Sequence, residues 1–401
     1  MRKGELTRKR ILDTAIGVFK DKRFGNGSVS EIASKMGIKN STVYYYFKNK
    51  EEIYKGLTES FSKGLCKNIR EAALPADTTP YGRIKKIVYA YVNYINNNIN
   101  LYDTFREVEF VDLEFAKSYY EEVTNCIAES LDGKLTEGVD PKTISYAILG
   151  SAYFITIKNL IWGKVNNIEK DIKVTMNVIE NGIDNRGDFT PYIIKEKKYA
   201  EIEPPFDTRG EKTKKAILKA AEKLFGENGY QATQIADISR ATNTGLGTFY
   251  IHFKSKKEVL SEVIKLVNHA LRTNSWEYTK DFDDRREIEN AGMQAFFYQF
   301  KTMGKDYRIV RESEFVDKNI GTWYYTRIAS SYAKGLKEGM KNGEIILCDA
   351  DALAYVLMGI SHTVGINWFV LNGQHKMDDK DTLSVIEFTM HGLKGILKEE
   401  K

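Results

Sequence analysis

Cysteine and histidine are scarce in this chain of 401 residues, and their scarcity excludes several classes of protein. The three cysteines, Cys66, Cys126 and Cys348, lie far apart with no second Cys or His at metal-ligand spacing, so neither a disulfide framework nor a metal site is predicted. All five histidines lie from His252 onward, and none pair at the i, i+4 spacing of metal-binding helices. Because the sequence also has no phosphate-binding glycine loop and no nucleophile elbow, we expect neither an enzyme nor a cofactor.

Long apolar runs are absent as well. Lys, Glu or Asn residues interrupt each apolar segment before it reaches the ~18–20 residues that a membrane span needs. The first residues, Met1 to Glu5, do not lead into the apolar stretch of a secretion signal. Together with the widely spaced, reduced thiols, this composition predicts a cytoplasmic protein without a membrane partner.

Charge is unevenly distributed along the chain. The net charge is +5, but residues 1–50 hold 12 Lys or Arg against 4 Asp or Glu, and residues 207–256 hold 9 against 5. The other 301 residues therefore carry a net charge of −7. Two basic windows on an otherwise acidic protein predict two surfaces for a polyanion, with nucleic acid as the leading candidate.

The two basic windows belong to an internal repeat. A shift of 206 positions aligns residues 7–54 with 213–260 without a gap and gives 13 identities among 48 positions. A second match follows at a shift of 205, where Arg106-Glu-Val-Glu-Phe-Val-Asp112 corresponds to Arg311-Glu-Ser-Glu-Phe-Val-Asp317. Two copies of one unit, each with a basic head and a longer body, therefore account for the length of the chain.

Prolines mark the joints between helices, because a proline inside a helix costs ~3 kcal/mol or more. All six lie in the first copy or in the segment that joins the copies, and apolar residues between them recur at steps of three or four. The spacing predicts roughly nine helices per copy. The predicted domains are a first head at 1–50, a first body at 51–186, a linker without helical period at 187–207, a second head at 208–256 and a second body at 257–401.

Each head is predicted to contain three helices. In the first copy Ser28 and Glu31 have capping-box spacing at the start of the second helix, and Gly37 ends that helix. A short third helix then starts at about Lys39. Such a polar-faced helix after a glycine turn fits the major groove of DNA. Its face offers an amine, an amide, two hydroxyls and three phenols, which belong to Lys39, Asn40, Ser41, Thr42, Tyr44, Tyr45 and Tyr46.

The third helix and the residues after it carry a family resemblance. Residues 42–52, Thr-Val-Tyr-Tyr-Tyr-Phe-Lys-Asn-Lys-Glu-Glu, and residues 248–258, Thr-Phe-Tyr-Ile-His-Phe-Lys-Ser-Lys-Lys-Glu, resemble the third-helix motif of the TetR/AcrR family. In that motif a Thr-apolar-Tyr-x-His/Tyr-Phe run precedes a Ser/Asn-Lys-x-Glu cap. The resemblance implies an all-α protein in which each copy has a helix-turn-helix head and a helical body for ligand binding and dimerisation.

The resemblance also implies which residues contact DNA. In the family the third helix enters the major groove, and the lysine that starts the fourth helix binds a phosphate. Position by position, Lys50 and Lys256 would bind phosphates, and Lys39 and Asn40 would contact bases. The other implied contacts are Thr42, Tyr44 and Tyr46 in the first copy and Thr248, Tyr250 and His252 in the second, whose third helix also includes Gly245, Leu246, Gly247 and Ile251.

The two copies depart from the motif at one position each. Tyr46 stands where histidine is common, and Asn243 stands where glycine usually forms the turn, although asparagine also tolerates left-handed geometry. For Tyr44 and Tyr250 the alternative is that the ring packs in the core and only the hydroxyl reaches solvent. The opposite helix face is predicted to be core, and it carries Val43, Phe47, Phe249 and Phe253.

The bodies are rich in aromatic residues. The resemblance implies a pocket for a small, largely apolar effector, although aromatic residues at helical spacing are also typical of an ordinary core, and the sequence assigns no ligand-binding residue. The Glu and Arg residues repeated at 106–109 and 311–314 indicate either a salt-bridged helix surface or a polar patch in the pocket. The aromatic candidates include Tyr89, Tyr91, Tyr94 and Phe105 in the first copy and Phe296, Phe297, Phe300, Tyr307 and Trp323 in the second.

Each copy ends in two apolar segments, which the resemblance assigns to a four-helix dimer bundle. Because the copies are covalently joined, we expect an intramolecular pseudo-dimer, for which a linker of about 20 residues could span ~65 Å. Small residues in these segments would allow helices to approach closely: Gly150, Ser151, Ala152, Gly359, Ser361 and Gly365.

The expected function is a ligand-responsive transcription regulator that binds a double-stranded DNA operator. We expect a repressor that a small hydrophobic effector releases. The alternative is an adaptor or sensor in which one or both heads no longer bind DNA, but both third-helix motifs retain their Thr, Tyr and two Lys residues, which argues against it.

Overall fold

Nearly every ordered element of this protein is a helix. The structure, a computed structural model, describes residues 3–74, 79–163, 167–197, 208–302, 304–371 and 377–398. Within these ranges the β-type pairings are two isolated bridges, Leu135 with Leu397 and Asp184 with Ile345. The all-α prediction is confirmed.

In the described part of the chain the first copy has ten α-helices and the second has nine, against about nine expected for each. The first copy contains α1 (Lys3–Asn26), α2 (Val29–Met36), α3 (Asn40–Tyr46), α4 (Lys50–Ala73), α5 (Pro80–Asn97), α6 (Ile99–Phe105), α7 (Val108–Val111), α8 (Leu113–Leu131), α9 (Pro141–Thr156) and α10 (Ile168–Asn181). The second contains α11 (Arg209–Asn228), α12 (Ile235–Ala241), α13 (Leu246–His252), α14 (Lys256–Thr279), α15 (Arg285–Thr302), α16 (Gly304–Val316), α17 (Lys318–Lys341), α18 (Ala350–Gly365) and α19 (Asp379–Ile396). Short π-helical turns, Ile157–Ile161 and Ile366–Leu371, continue α9 and α18.

Local sequence determines where the head helices start. Ser28 and Glu31 form the predicted capping box at α2, since Ser28 Oγ accepts from the Glu31 N–H at 3.3 Å and Glu31 Oε2 accepts from the Ser28 N–H at 3.2 Å. Thr208 and Glu211 form the same arrangement at α11. These boxes satisfy N–H groups that have no partner inside the helix.

Contacts within the chain define two compact units. Unit 1 comprises Met1–Leu131 with Thr156–Val165. Its head joins its body where α1 packs on α4 and α6. The body core holds a group of rings that we call the ring cluster, in which the Phe61 ring lies 4.5 to 6.4 Å, centroid to centroid, from four neighbours: Tyr94, Tyr102, Phe105 and Tyr119.

Unit 2 comprises Asp132–Ile155 and Asn166–Lys401, so it holds the second copy together with α10 and most of α9. Helix α10 packs on α18 and α19. The domain boundaries expected from the sequence stay a prediction, because these contacts group the end of the first body with the second copy.

Close helix approach in unit 2 occurs at one pair of the predicted small residues. A Cβ added to Gly150 would lie 2.2 Å from the Gly359 carbonyl oxygen, and one added to Gly359 would lie 2.0 Å from the Gly150 carbonyl oxygen. Gly365 instead lies against Phe300 of α15. Only glycine at both positions of the pair permits this backbone contact.

Two helical stretches, Pro141–Ile161 and Ala350–Leu371, are long and apolar enough to cross a membrane by length and composition alone. The expectation that no such stretch exists was therefore wrong. In the most apolar 18-residue window of each, 83% and 78% of the residues are buried inside the protein. Apolar residues on every side are typical of a helix that lies in a protein core as well as of one in a membrane.

The part of the linker that the structure describes ends at residue 197 and has no helix, as its sequence predicts. Side chains of α15 bind its backbone: Gln294 Nε2 donates to the Tyr192 carbonyl and the Tyr298 hydroxyl donates to the Ile194 carbonyl, each at 2.9 Å. This part is therefore docked on α15. The rest of the linker, 198–207, lies outside the described residues.

The glycine contact predicts the effect of a single added methyl group. Gly150→Ala should destabilise unit 2 by about 2 kcal/mol or more, because α9 and α18 must move apart. Chemical unfolding of the full chain measures this. Gly17→Ala in α1 is the control, since no atom lies within 4 Å of its added Cβ, and it should be neutral or slightly stabilising. Equal effects of the two substitutions would contradict the close contact.

Candidate nucleic-acid interface

Each head places a short third helix after a tight turn. The turn residue Gly37 has φ of 66°, and its counterpart Asn243 has φ of 52°. The prediction that asparagine can replace glycine in this turn is confirmed. Both residues lie in the left-handed region, which reverses the chain between the second and third helices.

The inner face of each third helix belongs to the head core. Val43 and Phe249 are completely buried, and Phe47 and Phe253 are 1% and 2% exposed. The predicted core face is confirmed in both copies. These side chains fix the third helix against the rest of the head and leave its other face outward.

The outer face carries large exposed side chains. Tyr44 and Tyr250 are 52% and 56% exposed, so neither ring is packed in the core. Tyr45 and Ile251 are still more exposed, at 82% and 79%, and Leu246 is also an exposed apolar residue. The remaining exposed positions of this face are Lys39, Asn40, Ser41, Gly245 and Gly247.

Four of the predicted contact residues on the third helices are only half-exposed. Thr42 and Thr248 lie at the side of their helices. Tyr46 lies next to Gly4 near the start of α1, and His252 lies next to Gly210 at the start of α11. The outer face thus extends from the third helix to the first turn of the first helix of the same head.

The two lysines predicted to bind phosphate donate to protein carbonyls. Lys50 Nζ lies 3.0 Å from the Phe24 carbonyl oxygen and 4.5 Å from the centre of the Phe24 ring. Lys256 Nζ lies 2.8 Å from the Tyr230 carbonyl oxygen and 4.2 Å from the centre of the Tyr230 ring. Burial lowers the pKa of Lys256. Both ammonium groups therefore already have partners inside their own unit.

The same aromatic residues are also held from the body. Glu107 Oε2 accepts from the Phe24 N–H at 3.2 Å, and Glu312 Oε2 accepts from the Tyr230 N–H at 2.9 Å. We call each trio, Phe24 with Lys50 and Glu107, and Tyr230 with Lys256 and Glu312, the head latch. In each latch the aromatic residue donates its N–H to a glutamate of the body. Its carbonyl oxygen accepts from the lysine that starts the fourth helix of the copy.

The head latch explains part of the repeated Arg-Glu-x-Glu-Phe-Val-Asp motif. Its first glutamate, Glu107 or Glu312, accepts a hydrogen bond from the backbone of the head. The second glutamate of the first copy, Glu109, accepts from the Tyr120 hydroxyl at 2.6 Å. Sequence analysis missed the latch, although a signal existed: its members recur at shifts of 205 or 206.

An unusual backbone precedes the latch in the first copy. Arg23 precedes Phe24 and has φ of 66°, while its counterpart Gly229 has φ of 84°. Glycine adopts this conformation freely, whereas arginine does so only when neighbouring contacts hold it. The Arg23 guanidinium lies 3.2 Å from Asp103 and 3.8 Å from Glu107.

Unit 2 also contains a cavity of about 620 Å³. Helices α14, α15, α17 and α18 supply most of its wall, and Phe154 of α9 contributes as well. Of the aromatic candidates, Phe296 and Tyr307 line the cavity, whereas Phe297 and Phe300 are buried in the core around it. The volume is in the range of sites for small organic ligands.

Known proteins and one protein family match parts of this chain. The family described as bacterial regulatory proteins, tetR family, matches residues 11–57 and 217–263. The uncharacterized HTH-type transcriptional regulator YhgD of Bacillus subtilis is 27% identical over 191 residues, which is 46% of this chain and 96% of that protein. The HTH-type transcriptional regulator QacR of Staphylococcus aureus is 24% identical over 162 residues, covering 36% of this chain and 79% of its own length. Among solved structures, SmeT, the repressor of the Stenotrophomonas maltophilia multidrug efflux pump SmeDEF, is 18% identical over 42% of this chain and 86% of its own, with a TM-score of 0.37.

Two helix-turn-helix heads, each with an exposed third helix, define a DNA-binding transcription regulator and not an enzyme. The chain therefore carries the DNA-binding domain described for the tetR family of bacterial regulatory proteins twice, once in each copy.

The head latch predicts a pH dependence of stability. Burial raises the pKa of Glu107 to about 7, although Arg23 opposes this shift. Between pH 4.5 and 7 the folded protein therefore keeps a proton that the unfolded chain has released, and stability falls as pH rises through this window. Glu107→Gln should remove up to about 3 kcal/mol of that fall.

Urea unfolding at pH 5 and pH 7.5 measures this difference. The control is Glu51→Gln, at an exposed position on α4, which should keep the slope of the original protein. Parallel pH profiles for the original chain and Glu107→Gln would show that Glu107 is not buried as described.

Proposed function

We propose that this protein is a cytoplasmic repressor that binds its DNA operator through both heads of one chain and is released by a small apolar effector. The observation that carries the proposal is the outward third-helix face, which is exposed in both copies and supported by an intact head latch in each. An adaptor with decayed heads has no need of two exposed faces.

The two faces favour different base sequences. Lys39, Asn40 and Ser41 offer hydrogen-bonding groups that suit base edges in the major groove. In the second copy, the equivalent part of the third helix has Leu246 between two glycines, and Ile251 follows on the exposed side. Apolar side chains of this kind suit the methyl group of thymine. We therefore expect two unlike half-sites.

Phosphate binding by Lys50 and Lys256 stays a prediction. Their ammonium groups donate to carbonyls in the free protein, so binding a phosphate would need a shared or exchanged hydrogen bond. Lys48 and Lys254, two residues earlier in each copy, are exposed and precede the same helix. We expect these lysines to contribute to phosphate binding as well.

Pairing of the copies within one chain is supported by reciprocal contacts in unit 2. The Cα of Gly150 faces the carbonyl of Gly359, and the Cα of Gly359 faces the carbonyl of Gly150. Likewise, a Cβ on Gly182 would lie 2.0 Å from the Met390 carbonyl oxygen, and one on Gly392 would lie 2.6 Å from the Glu180 carbonyl oxygen. Reciprocal contacts of this kind are the mark of a two-fold interface.

Ligand response is supported by the position of α16. This helix carries Tyr307, which lines the cavity, and Glu312, which belongs to the head latch. They are five positions apart, about 7.5 Å along a helix axis. A ligand that shifts Tyr307 would therefore shift Glu312 and alter the hold on Tyr230. Couplings between such sites are typically ~1–3 kcal/mol.

The outer faces can be tested one at a time. Tyr44→Ala with Tyr45→Ala in the first head, and Tyr250→Ala with Ile251→Ala in the second, should each weaken binding to a selected genomic operator at least about tenfold. Filter binding measures this, with circular dichroism to show that the heads remain folded. Leu347→Ala, at an exposed apolar residue outside the heads, is the control. If neither double variant weakens binding, the adaptor becomes the better description.

Pairing within one chain predicts the stoichiometry. We expect one chain to occupy one operator with two unlike half-sites, about one helical turn of DNA apart, and to bind with little dependence on protein dilution. Light scattering of the complex and footprinting of the operator test this. A two-chain assembly that protects a clean palindrome would refute the intramolecular pseudo-dimer.

A further inference from the structure

We infer that only the second copy senses the effector, and that its cavity takes an apolar molecule bearing one anionic group. One chain would then bind one effector. This inference rests on the ligand response proposed above and specifies which copy and which chemistry carry it.

Equivalent helices allow the two bodies to be compared residue by residue. Helices α4 and α14 each have 24 residues and start 206 positions apart, and α5 and α15 each have 18 residues and start 205 positions apart. The cavity wall of the second copy can therefore be matched to specific residues of the first.

The matched wall positions differ in character. In the second copy Glu289 and Gly292 of α15 and Ser275 of α14 line the cavity. Their counterparts in the first copy are isoleucines that are at most 1% exposed: Ile84, Ile87 and Ile69. The first copy thus places a branched aliphatic side chain at each of these positions, which fills space that the second copy leaves open.

The ring cluster fills more of the first body. At two of its positions, Phe61 and Phe105, the second copy has the much smaller Val267 and Val310. A Cβ added to Gly64 would lie 2.0 Å from the Tyr94 hydroxyl, so the Tyr94 ring packs closely against α4 and would have to shift to admit a methyl group. Large side chains thus fill these positions in the first body, whereas the second body has a cavity.

The charges of the cavity wall identify the ligand class. Arg285 Nε donates to Glu289 Oε1 at 2.7 Å, so this buried pair is neutral overall, and Tyr332 also donates to Glu289. Arg272 also lines the cavity and has no ion pair or hydrogen bond among the described residues. Its counterpart in the first copy is the buried Cys66.

One unpaired guanidinium beside an apolar wall favours one anionic group on the ligand. Trp276, Phe296 and Tyr324 supply aromatic surface for the rest of the molecule. A carboxylate, sulfonate or phosphate could accept two parallel hydrogen bonds from Arg272. A second anionic group would have to be buried without a counter-charge, which is costly.

Two matched fluorescent probes test the inference. 8-Anilinonaphthalene-1-sulfonate and N-phenyl-1-naphthylamine share one apolar body, and only the first carries an anionic group. Titration of the full chain should give one sulfonate site per chain. Arg272→Gln should weaken binding of the sulfonate about tenfold and change binding of the neutral probe less than twofold. Arg327→Gln, an exposed arginine of α17 that is not part of the cavity wall, removes the same charge and should change neither.

A blocking variant locates the site. Gly292→Trp should abolish binding of both probes, because the added Cβ meets only Thr279 at 3.7 Å and the indole projects into the cavity. Thermal unfolding shows whether the variant is folded, and Ser361→Leu on α18 provides a second block from another wall. Two sulfonate sites per chain, or equal losses of both probes in Arg272→Gln, or full binding in both blocked variants, would overturn the inference.

Operator affinity separates this inference from the proposed release mechanism. If the sulfonate binds one site in an Arg272-dependent way and weakens operator binding, both are supported. If it binds in that way and leaves operator binding unchanged, the assignment of the site stands and the release of DNA by this site is refuted.

Discussion

Helices α9 and α18 contact each other backbone to backbone at Gly150 and Gly359, and the arrangement of unit 2 depends on that contact. A side chain at either glycine would collide with the carbonyl oxygen of the other. Helices this close exclude water along their length, which is why two stretches apolar enough for a membrane can lie inside the protein. The end of the first body thereby becomes part of the core of the second copy.

Covalent duplication changes what the two copies can become. In a homodimer every substitution appears twice, so a residue that fills one body also fills the other. In this chain Ile87 can close the first body while Gly292 leaves the second open. The third helices differ in the same way, with Asn40 and Ser41 facing outward in one and Leu246 in the other. Sequence divergence between the copies is therefore informative about function and not merely noise around a repeat.

Features set by neighbouring residues were predictable from the sequence. The capping box of Ser28 and Glu31, the turn at Asn243 and the buried face of each third helix all depend on spacing within one or two turns. Features set by distant residues were not. The partners of Lys50 and Lys256, and the docking of the linker on α15, arise from contacts that no local period encodes.

The resemblance to the family leaves out the partners that the two lysines have in the free protein. It supplied a role in binding phosphate but no account of the free protein, in which a charged group needs partners wherever it is partly buried. The carbonyls of Phe24 and Tyr230 supply those partners. The repeat itself contained the necessary information, because the aromatic residues, the lysines and the glutamates of the two latches recur at shifts of 206, 206 and 205.

A latch made of a few hydrogen bonds suits a switch better than a large interface would. Each hydrogen bond contributes about 1 kcal/mol, or somewhat more when one partner is charged. The Glu312 and Lys256 bonds to Tyr230 together therefore lie in the range of a few kcal/mol. A ligand can shift an equilibrium only by its difference in affinity between two states, which is typically ~1–3 kcal/mol. The bonds of the head latch match that difference in strength.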